Sequence, residues 1–215
     1  MHETAGPQTS PLRERGRLVV VECPAMGNDD GHGYARGDDY DVRFRERAAA
    51  GLDVHGEADF VADLGPKTVL DAGCGTGRVA IELARRGIPT VGIDVDPEML
   101  GTARAKAPEL DWRQGDLATV DLAEESFDVV VMAGNVLIFV EPGTEAAVVR
   151  NLAAGLAAGG SLVAGFQLRP DRISLTRYDS YCADAGLVLA ERWSTWDRHP
   201  WSEEHDYAVS VHRRQ

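Results

Sequence analysis

Cysteine, aromatic side chains, basic charge and long apolar runs are all scarce in this sequence of 215 residues. Its three cysteines, Cys23, Cys74 and Cys182, have no C-x-x-C spacing, so a disulfide framework is disfavoured and reduced thiols are expected. No apolar run approaches the length of a bilayer span, and the N-terminal MHETAGPQTSPLRERG lacks the apolar core of a signal peptide. We therefore expect a cytoplasmic protein.

The charge balance disfavours two classes of partner. Lysine and arginine number 22 against 35 aspartates and glutamates, which gives a formal net charge of −13. Proteins that bind nucleic acid by neutralising phosphates need the opposite sign, and an anionic membrane surface would repel this chain. We expect neither nucleic acid nor a membrane as a partner, and the oligomeric state stays open.

Residues 1–36 differ in composition from the rest of the chain. Three prolines interrupt them, and residues 27–33 form a run of turn-forming residues. These features predict a flexible N-terminal tail, within which Met26 is an alternative translation start. The remainder, 37–215, is predicted to be a single domain.

From residue 38 onward the apolar pattern alternates between helices and strands. Helices are predicted over 38–50, His55–Leu64, Arg78–Arg86, Asp96–Lys106, Thr144–Ala158 and Ser174–Ala185. Strands are predicted over Thr68–Ala72, Thr90–Asp94, Asp111–Asp116, Phe127–Ala133, Ser161–Phe166, Leu187–Thr195 and Tyr207–Arg213. Such alternation specifies an α/β fold with a doubly wound parallel sheet, and the last two strands, which no helix separates, should pair antiparallel. The prediction is a seven-stranded, mostly parallel sheet with an antiparallel edge strand.

The segment Val69–Gly77, VLDAGCGTG, runs from a strand into a glycine-rich turn and then a helix. Gly73 and Gly75 remove Cβ where the backbone must turn sharply and let a ligand approach. The helix that follows presents free N–H groups at its N-terminus. Asp94 ends the next strand, where an acid can accept both ribose hydroxyls of a bound nucleoside.

The spacing in this turn is G-x-G-x-G, because Arg78 stands where a G-x-G-x-x-G motif has its last glycine. Asp71 precedes the turn. A carboxylate at this position would repel a pyrophosphate, whereas it would attract a ligand that carries an ammonium group. The segment resembles motif I of the class I S-adenosylmethionine-dependent methyltransferases, and the resemblance extends over about 38–213. It implies a Rossmann-like fold with a helical cap (37–66), a cofactor-binding core (67–166) and C-terminal edge elements (167–215).

The resemblance also implies a set of cofactor contacts. Asp94 and Val95 match the ribose site, Asp116 and Leu117 match the adenine site, and Met99 is placed to pack on the adenine face. The positions that match the family's contacts around the methionine portion are Asp71, Ala72, Gly73, Gly75 and Asn135. Asn135 has the alternative role of capping a turn. Tyr40 and Arg45 could close over the cofactor and meet its carboxylate, or belong to an ordinary amphipathic helix.

The reaction implied is direct in-line displacement, in which an acceptor nucleophile attacks the sulfonium methyl of S-adenosylmethionine and leaves S-adenosylhomocysteine. Holding the nucleophile and the methyl collinear supplies most of the catalysis, and a base is needed only for a protonated acceptor. The candidates for such a base are His199, His205 and His55. For His55 and Glu57 a capping arrangement is favoured over a substrate acid–base pair.

The acceptor is expected to be a small molecule, because the short N-terminal helices and one edge loop leave room for a compact pocket. Trp196 and Trp201 could line it as part of a lid over residues 196–205, or pack on the fold as a surface loop. The fourth strand ends in Ala-Gly-Asn-Val rather than an Asn-Pro-Pro-Tyr type of turn, which disfavours DNA bases. No metal site is predicted, since the histidine spacing in this loop is irregular.

Two other functional classes stay open at this point. A non-catalytic protein that binds S-adenosylmethionine would carry the same motif. An NAD-dependent oxidoreductase on a similar sheet is disfavoured by the glycine spacing and by Asp71 and Asp116.

Overall fold

The computed structural model describes residues 53–215, together with Val42, Glu46 and 49–51. The predicted tail over 1–36 and most of the predicted helix over 38–50 therefore lie outside the described residues. The helices in the described part are α1 (Gly56–Ala62), α2 (Arg78–Arg85), α3 (Pro97–Lys106), α4 (Val136–Phe139), α5 (Glu145–Ala154) and α6 (Leu175–Asp184). The strands are β1 (Val69–Ala72), β2 (Thr90–Asp94), β3 (Asp111–Gln114), β4 (Phe127–Met132), β5 (Leu156–Gln167), β6 (Leu187–Trp193) and β7 (Tyr207–Arg214).

The strands form one seven-stranded sheet in the order β3-β2-β1-β4-β5-β7-β6. The first five strands in this order, β3, β2, β1, β4 and β5, are parallel to one another. Strand β7 is antiparallel to both of its neighbours, β5 and β6. The predicted architecture is confirmed, with the refinement that the antiparallel strand lies between β5 and the edge strand β6. Because β2 and β4 flank β1, the chain winds outward from β1 in both directions and leaves a crevice at its carboxyl end.

Helices cover both faces of the sheet and bury two apolar layers. One layer packs α4, α5 and α6 against the sheet through side chains such as Leu152 and Phe166. The other packs α1 and α2 against the opposite face through side chains such as Phe60 and Leu83. Helix α3 is held at the β3 edge by a smaller cluster around Trp112. No helix in the described part of the chain is long and apolar enough to span a bilayer.

The predicted helix over Thr144–Ala158 is too long. Helix α5 ends at Ala154, and the chain enters β5 at Leu156, five residues before the predicted strand begins. The Phe127 N–H donates to the carbonyl of Gly155 (2.9 Å), so pairing with β4 begins directly after the helix. A short apolar run fits a helix and a strand equally well by periodicity, and tertiary pairing decides between them here.

Candidate active site at the carboxyl edge

Five parallel strands end at one edge of the sheet, and the predicted cofactor residues follow these ends. Asp71 and Ala72 close β1, Asp94 closes β2, and Asp116 lies two residues beyond β3. Parallel strands place these positions side by side across the crevice between β1 and its neighbours.

The glycine-rich turn is built tightly onto β2. The N–H groups of Gly73 and Cys74 both donate to the carbonyl of Ile93, at 2.8 and 3.0 Å. Gly73 has a φ of +78°, and a Cβ there would lie 2.7 Å from the Val136 side chain. Gly75 also has a positive φ, of +55°. Both positions need glycine, for the backbone conformation and, at Gly73, for the close approach of α4.

Asp94 fastens the turn to the end of β2. Its Oδ2 accepts a hydrogen bond from the Gly75 N–H at 2.7 Å, and its Oδ1 accepts one from the Asp96 N–H at 2.9 Å. Each carboxylate oxygen has a second lone pair, so both can still accept a hydroxyl. The Asp94 carboxylate is thus pre-oriented for a diol at the carboxyl edge.

Asp71 lies beneath the turn, with 2% of its surface exposed. Its Oδ2 accepts a hydrogen bond from the Ala80 N–H at 3.1 Å, in the first turn of α2. The N-cap residue of this helix is Gly77, which has no side chain to cap it, so Asp71 supplies the acceptor. Burial raises the pKa of the Asp71 carboxyl to about 7, against the lowering effect of the Ala80 hydrogen bond. Ala72, beside it, is fully buried. Direct contact of Asp71 with a ligand stays a prediction.

Cys74, in the same turn, is a buried free thiol. Burial raises the pKa of this thiol far above its ordinary value, and the nearby carboxylates of Asp71 and Asp94 raise it further. A thiol in such surroundings stays protonated and is a poor nucleophile.

The predicted adenine site follows β3. Asp116 is exposed, and its Oδ1 accepts a hydrogen bond from the Ala118 N–H at 2.8 Å. Among the residues that the structure describes, none accepts a hydrogen bond from the Leu117 N–H. A carboxylate oxygen and a free N–H on adjacent residues match the amino group and a ring nitrogen of adenine.

Two apolar side chains stand between the predicted ribose and adenine sites. Val95 is 64% exposed, which is unusual for a valine and leaves its side chain available to a ligand. The Cε of Met99 lies 3.3 Å from the position that a Cβ on Gly75 would occupy. The Met99 side chain thus lies against the glycine turn, as its predicted place beside the adenine ring requires.

Asn135 is buried in the loop after β4 and joins two strand ends. Its Oδ1 accepts a hydrogen bond from the Gln167 N–H at 2.7 Å, and its own N–H donates to the carbonyl of Gly165 at 3.1 Å. The Oδ1 atom thus ties β5 to this loop and makes no capping hydrogen bond, so the turn-capping alternative is not supported. Contact of Asn135 with the cofactor stays a prediction. Tyr40 and Arg45 lie outside the described residues.

The three candidate base histidines have separate surroundings. The Nδ1 of His55 lies 3.8 Å from Oε2 of Glu82, in the middle of α2. The His205 ring is exposed and bonds Ser202 within its own turn, at 3.0 Å to the hydroxyl. His199 is exposed, and its carbonyl accepts a hydrogen bond from the Ser194 N–H at 2.8 Å. A role as base stays a prediction for each of the three.

Glu57 joins α1 to the start of α2. Its carboxylate forms a two-pronged pair with the guanidinium of Arg78, with 2.9 Å between Oε2 and Nη1. The same Nη1 donates to the carbonyl of Val54 at 2.7 Å. Both side chains of the pair are mostly buried. The alternative of a capping arrangement for His55 and Glu57 is therefore wrong, because the His55 side chain makes no capping hydrogen bond and the Glu57 carboxylate pairs with Arg78.

The two tryptophans of the predicted lid are on opposite sides of the sheet. The Trp196 ring packs edge-on against Phe60 of α1, with 5.4 Å between ring centroids, and its Nε1 donates to the Tyr207 hydroxyl at 3.0 Å. Trp201 lies against Arg192, whose guanidinium pairs with Asp179 of α6. Of the two, Trp196 is the one that lies over the end of β5, at the carboxyl edge.

One group of polar residues at this edge was missed in the sequence. Gln167 ends β5, and its Oε1 accepts a hydrogen bond from Nη2 of Arg169 at 2.9 Å. Tyr207 pairs with Gln167 across the β5–β7 ladder and packs in the same layer as Trp196. Their place in the sequence could have identified this group, because Gln-Leu-Arg directly follows the predicted strand Ser161–Phe166 and polar residues after a parallel strand lie at the carboxyl edge of the sheet. In the described part of the chain, no three histidine, cysteine or acidic side chains come together as metal ligands.

Comparisons with known proteins agree with this geometry. A family described as a methyltransferase domain matches residues 69–160, from β1 into β5. Among curated proteins, a magnesium-protoporphyrin O-methyltransferase of Rhodobacter capsulatus is 36% identical over 85 residues, which is 37% of this chain and 37% of that protein. An uncharacterized methyltransferase of Mycobacterium tuberculosis is 31% identical over 119 residues, or 55% of this chain and 47% of that one. The matches thus span less than half of these curated relatives.

A crystal structure matches over more of the chain. It is that of a TehB-like SAM-dependent methyltransferase from Corynebacterium glutamicum, 32% identical, with a TM-score of 0.77 over 83% of this chain and 97% of that one. The structure of magnesium protoporphyrin IX methyltransferase from Synechocystis, at 23% identity and a TM-score of 0.59, shares the fold over 86% of this chain and 87% of that one. The likeness of sequence and fold along nearly the whole of the first structure shows that this chain belongs to the S-adenosylmethionine-dependent methyltransferases.

Proposed function

We propose that this protein transfers the methyl group of S-adenosylmethionine to a small-molecule acceptor. The observation that carries the proposal is the Asp94 carboxylate, which two backbone N–H groups hold at the carboxyl end of β2, directly beside a turn without Cβ atoms at Gly73 and Gly75. A nucleoside with two free hydroxyls fits this arrangement, and family membership identifies the nucleoside as that of S-adenosylmethionine.

The residues present fit this cofactor along its length. Asp94 and Val95 would hold the ribose, Asp116 and Leu117 would bind the adenine edge, and Met99 would pack on its face. The turn over 71–75 would lie against the methionine portion, together with Asn135. The bound cofactor supplies a methyl group that its sulfonium already activates.

The protein's own contribution is to place an acceptor nucleophile in line with that methyl group and to exclude water. The acceptor would enter beside the loops after β4 and β5, where Trp196 and Tyr207 cover the end of the sheet. An acceptor that arrives protonated needs a base, for which His199, His205 and His55 remain the candidates.

A small acceptor in a cytoplasmic setting completes the proposal. The relative from Rhodobacter capsulatus is named for a low-molecular-weight acceptor, magnesium protoporphyrin. The net charge of −13 disfavours nucleic acid as the acceptor. Cys74 and Cys182 are both free and buried, which suits a reducing compartment.

A calorimetric titration tests the cofactor site. We expect wild-type protein to bind S-adenosylhomocysteine and not NAD⁺. Asp94→Ala should bind S-adenosylhomocysteine roughly 100-fold more weakly or worse, because two hydrogen bonds to a charged acceptor are lost. Asp128→Ala is the matched control. The Asp128 carboxylate also accepts two backbone hydrogen bonds, from Lys67 (2.7 Å) and Thr68 (3.1 Å), but at the amino edge of the sheet.

The two variants separate loss of binding from loss of stability. The proposal expects Asp128→Ala to keep the wild-type affinity. Equal weakening in both variants would show a general effect on the fold, and NAD⁺ binding without a response to S-adenosylhomocysteine would replace the proposal with an oxidoreductase.

A further inference from the structure

Arg169 is a half-buried arginine that has no carboxylate partner among the described residues. Its side chain donates to the neutral Oε1 of Gln167, and no described acid lies within 4.0 Å of it. Several other arginines around the sheet do pair with acids, among them Arg78, Arg86, Arg113, Arg192 and Arg198. The positive charge of Arg169 is therefore positioned but not neutralised.

The lack of an acid beside Arg169 is notable because acids exceed bases by 13 in this chain. An unpaired, partly buried guanidinium is unfavourable unless another group neutralises it. The neutral Gln167 amide orients the guanidinium through one nitrogen and leaves its remaining N–H donors available. That arrangement is suited to a charged group that arrives from outside the described residues.

The position of Arg169 identifies where such a group would bind. The Gln167 N–H donates to Asn135, which ties the end of β5 to the loop after β4. Tyr207, on β7, is the cross-strand partner of Gln167 on β5. The Tyr207 hydroxyl covers Gly165, since it lies 2.6 Å from the position that a Cβ on this glycine would occupy. The Gln167 side chain that holds the guanidinium is thus the cross-strand neighbour of Tyr207, at the end of β5, where the proposed function places the methyl acceptor.

We propose that Arg169 binds a carboxylate of the methyl acceptor, and that the acceptor is accordingly a small carboxylic acid. This rests on the proposed function. A planar guanidinium pairs in two-pronged fashion with a planar carboxylate, and one positive charge matches one negative charge. Because the net charge of −13 disfavours anions, a local cation favours the binding of such an acceptor.

The experiment uses a panel of aryl and alkyl carboxylates, benzoate among them, each paired with its neutral primary amide. Binding to the full chain is measured by calorimetry, with and without saturating S-adenosylhomocysteine. We expect at least one carboxylate to bind at least tenfold more tightly than its amide. Arg169→Gln should abolish this preference, and Arg172→Gln should keep it, since Arg172 is exposed three residues away and pairs only weakly with Asp171 at 3.7 Å.

Three results would overturn the inference. One is a wild-type protein that prefers no carboxylate over its amide. Another is an Arg169→Gln variant that keeps the preference. The third is an Arg169→Gln variant that loses affinity for S-adenosylhomocysteine but not for 5′-methylthioadenosine, which would assign the guanidinium to the cofactor's own carboxylate. Failure of the proposed function is distinguishable, because it appears as wild-type protein that does not bind S-adenosylhomocysteine.

Discussion

Gly77 and Gly87 flank α2 and have nearly the same backbone conformation, with φ values of +79° and +80°. Their surroundings differ. A Cβ on Gly77 would overlap the ring of Trp112, which also covers Gly92, whereas a Cβ on Gly87 would meet nothing within 4 Å. The last glycine of the G-x-G-x-G turn therefore serves the packing of an indole between α2, β2 and β3.

This difference predicts unequal costs for the same substitution. Gly87→Ala should lower the free energy of unfolding by about 1–2 kcal/mol, from the left-handed backbone alone. Gly77→Ala adds overpacking against Trp112, for a total of about 2–5 kcal/mol. Urea denaturation of both variants measures the difference, and equal losses would show that the indole moves aside freely.

The Asp71 carboxyl should make the free energy of unfolding depend on pH. Its pKa is raised by burial from 3.8 to about 7, so the folded state retains a proton that the unfolded state releases between these values. Stability therefore falls as pH rises from about 4 through 7 and levels off above. Between pH 5 and 8 this one group should account for about 2–3 kcal/mol of the loss.

Asp71→Asn isolates that contribution, because an amide carries no charge and its oxygen can still accept from the Ala80 N–H. We expect the stability of the variant to fall less between pH 5 and 8 than that of wild type, in urea denaturations at matched ionic strength. Parallel pH profiles for the two proteins would mean that Asp71 titrates near its ordinary value in the folded state.

At the scale of elements, the short helix α1 depends on α2 for its position. The Glu57–Arg78 pair and the Arg78 bond to the Val54 carbonyl tie the start of α1 to the start of α2. On its other side, Arg198 of the 194–206 loop stacks on Phe60 (4.4 Å from guanidinium carbon to ring centroid) and pairs with Asp63. Movement of α1 should thus be coupled to the loop that carries Trp196.

We expect Glu57→Gln to loosen α1. Removing one charge from a mostly buried, two-pronged pair should lower the free energy of unfolding by about 2–3 kcal/mol and speed hydrogen exchange of α1 amides. The control is Glu191→Gln. Glu191 lies 3.9 Å from Arg213, whose side chain is 55% exposed. Removing this ion pair should change the free energy of unfolding by less than ~0.5 kcal/mol. Unchanged exchange in α1 would show that apolar packing alone positions it.

At the scale of the whole molecule, local signals in the sequence were sufficient for the parallel strands β1 to β4. The bounds of β2 match the prediction, and α3 begins where Asp96 and Pro97 predicted, because the Asp96 side chain caps the helix by accepting from the Glu98 and Met99 N–H groups. Strand ends followed by glycine or aspartate likewise identified the carboxyl edge of the sheet. These features depend only on residues close together in the chain.

The parts that the sequence did not predict depend on contacts between distant residues. Trp196 and Trp201 are near neighbours in the chain, yet one packs on α1 and the other beside α6, and nothing in their spacing distinguishes them. The role inferred for Arg169 likewise depends on which acids lie near it in space. Pairing of Phe127 in β4 with Leu156 in β5 ended α5 earlier than periodicity indicated.

The most direct test of the whole account is transfer of labelled methyl. The protein is incubated with methyl-tritiated S-adenosylmethionine and an extract of its source organism, which is then separated into low-mass and macromolecular fractions. The account predicts label in a new low-mass product with wild-type protein and a marked loss of it with Asp94→Ala. Label that stays on S-adenosylmethionine would indicate a non-catalytic binder, and label in the macromolecular fraction would contradict the small acceptor.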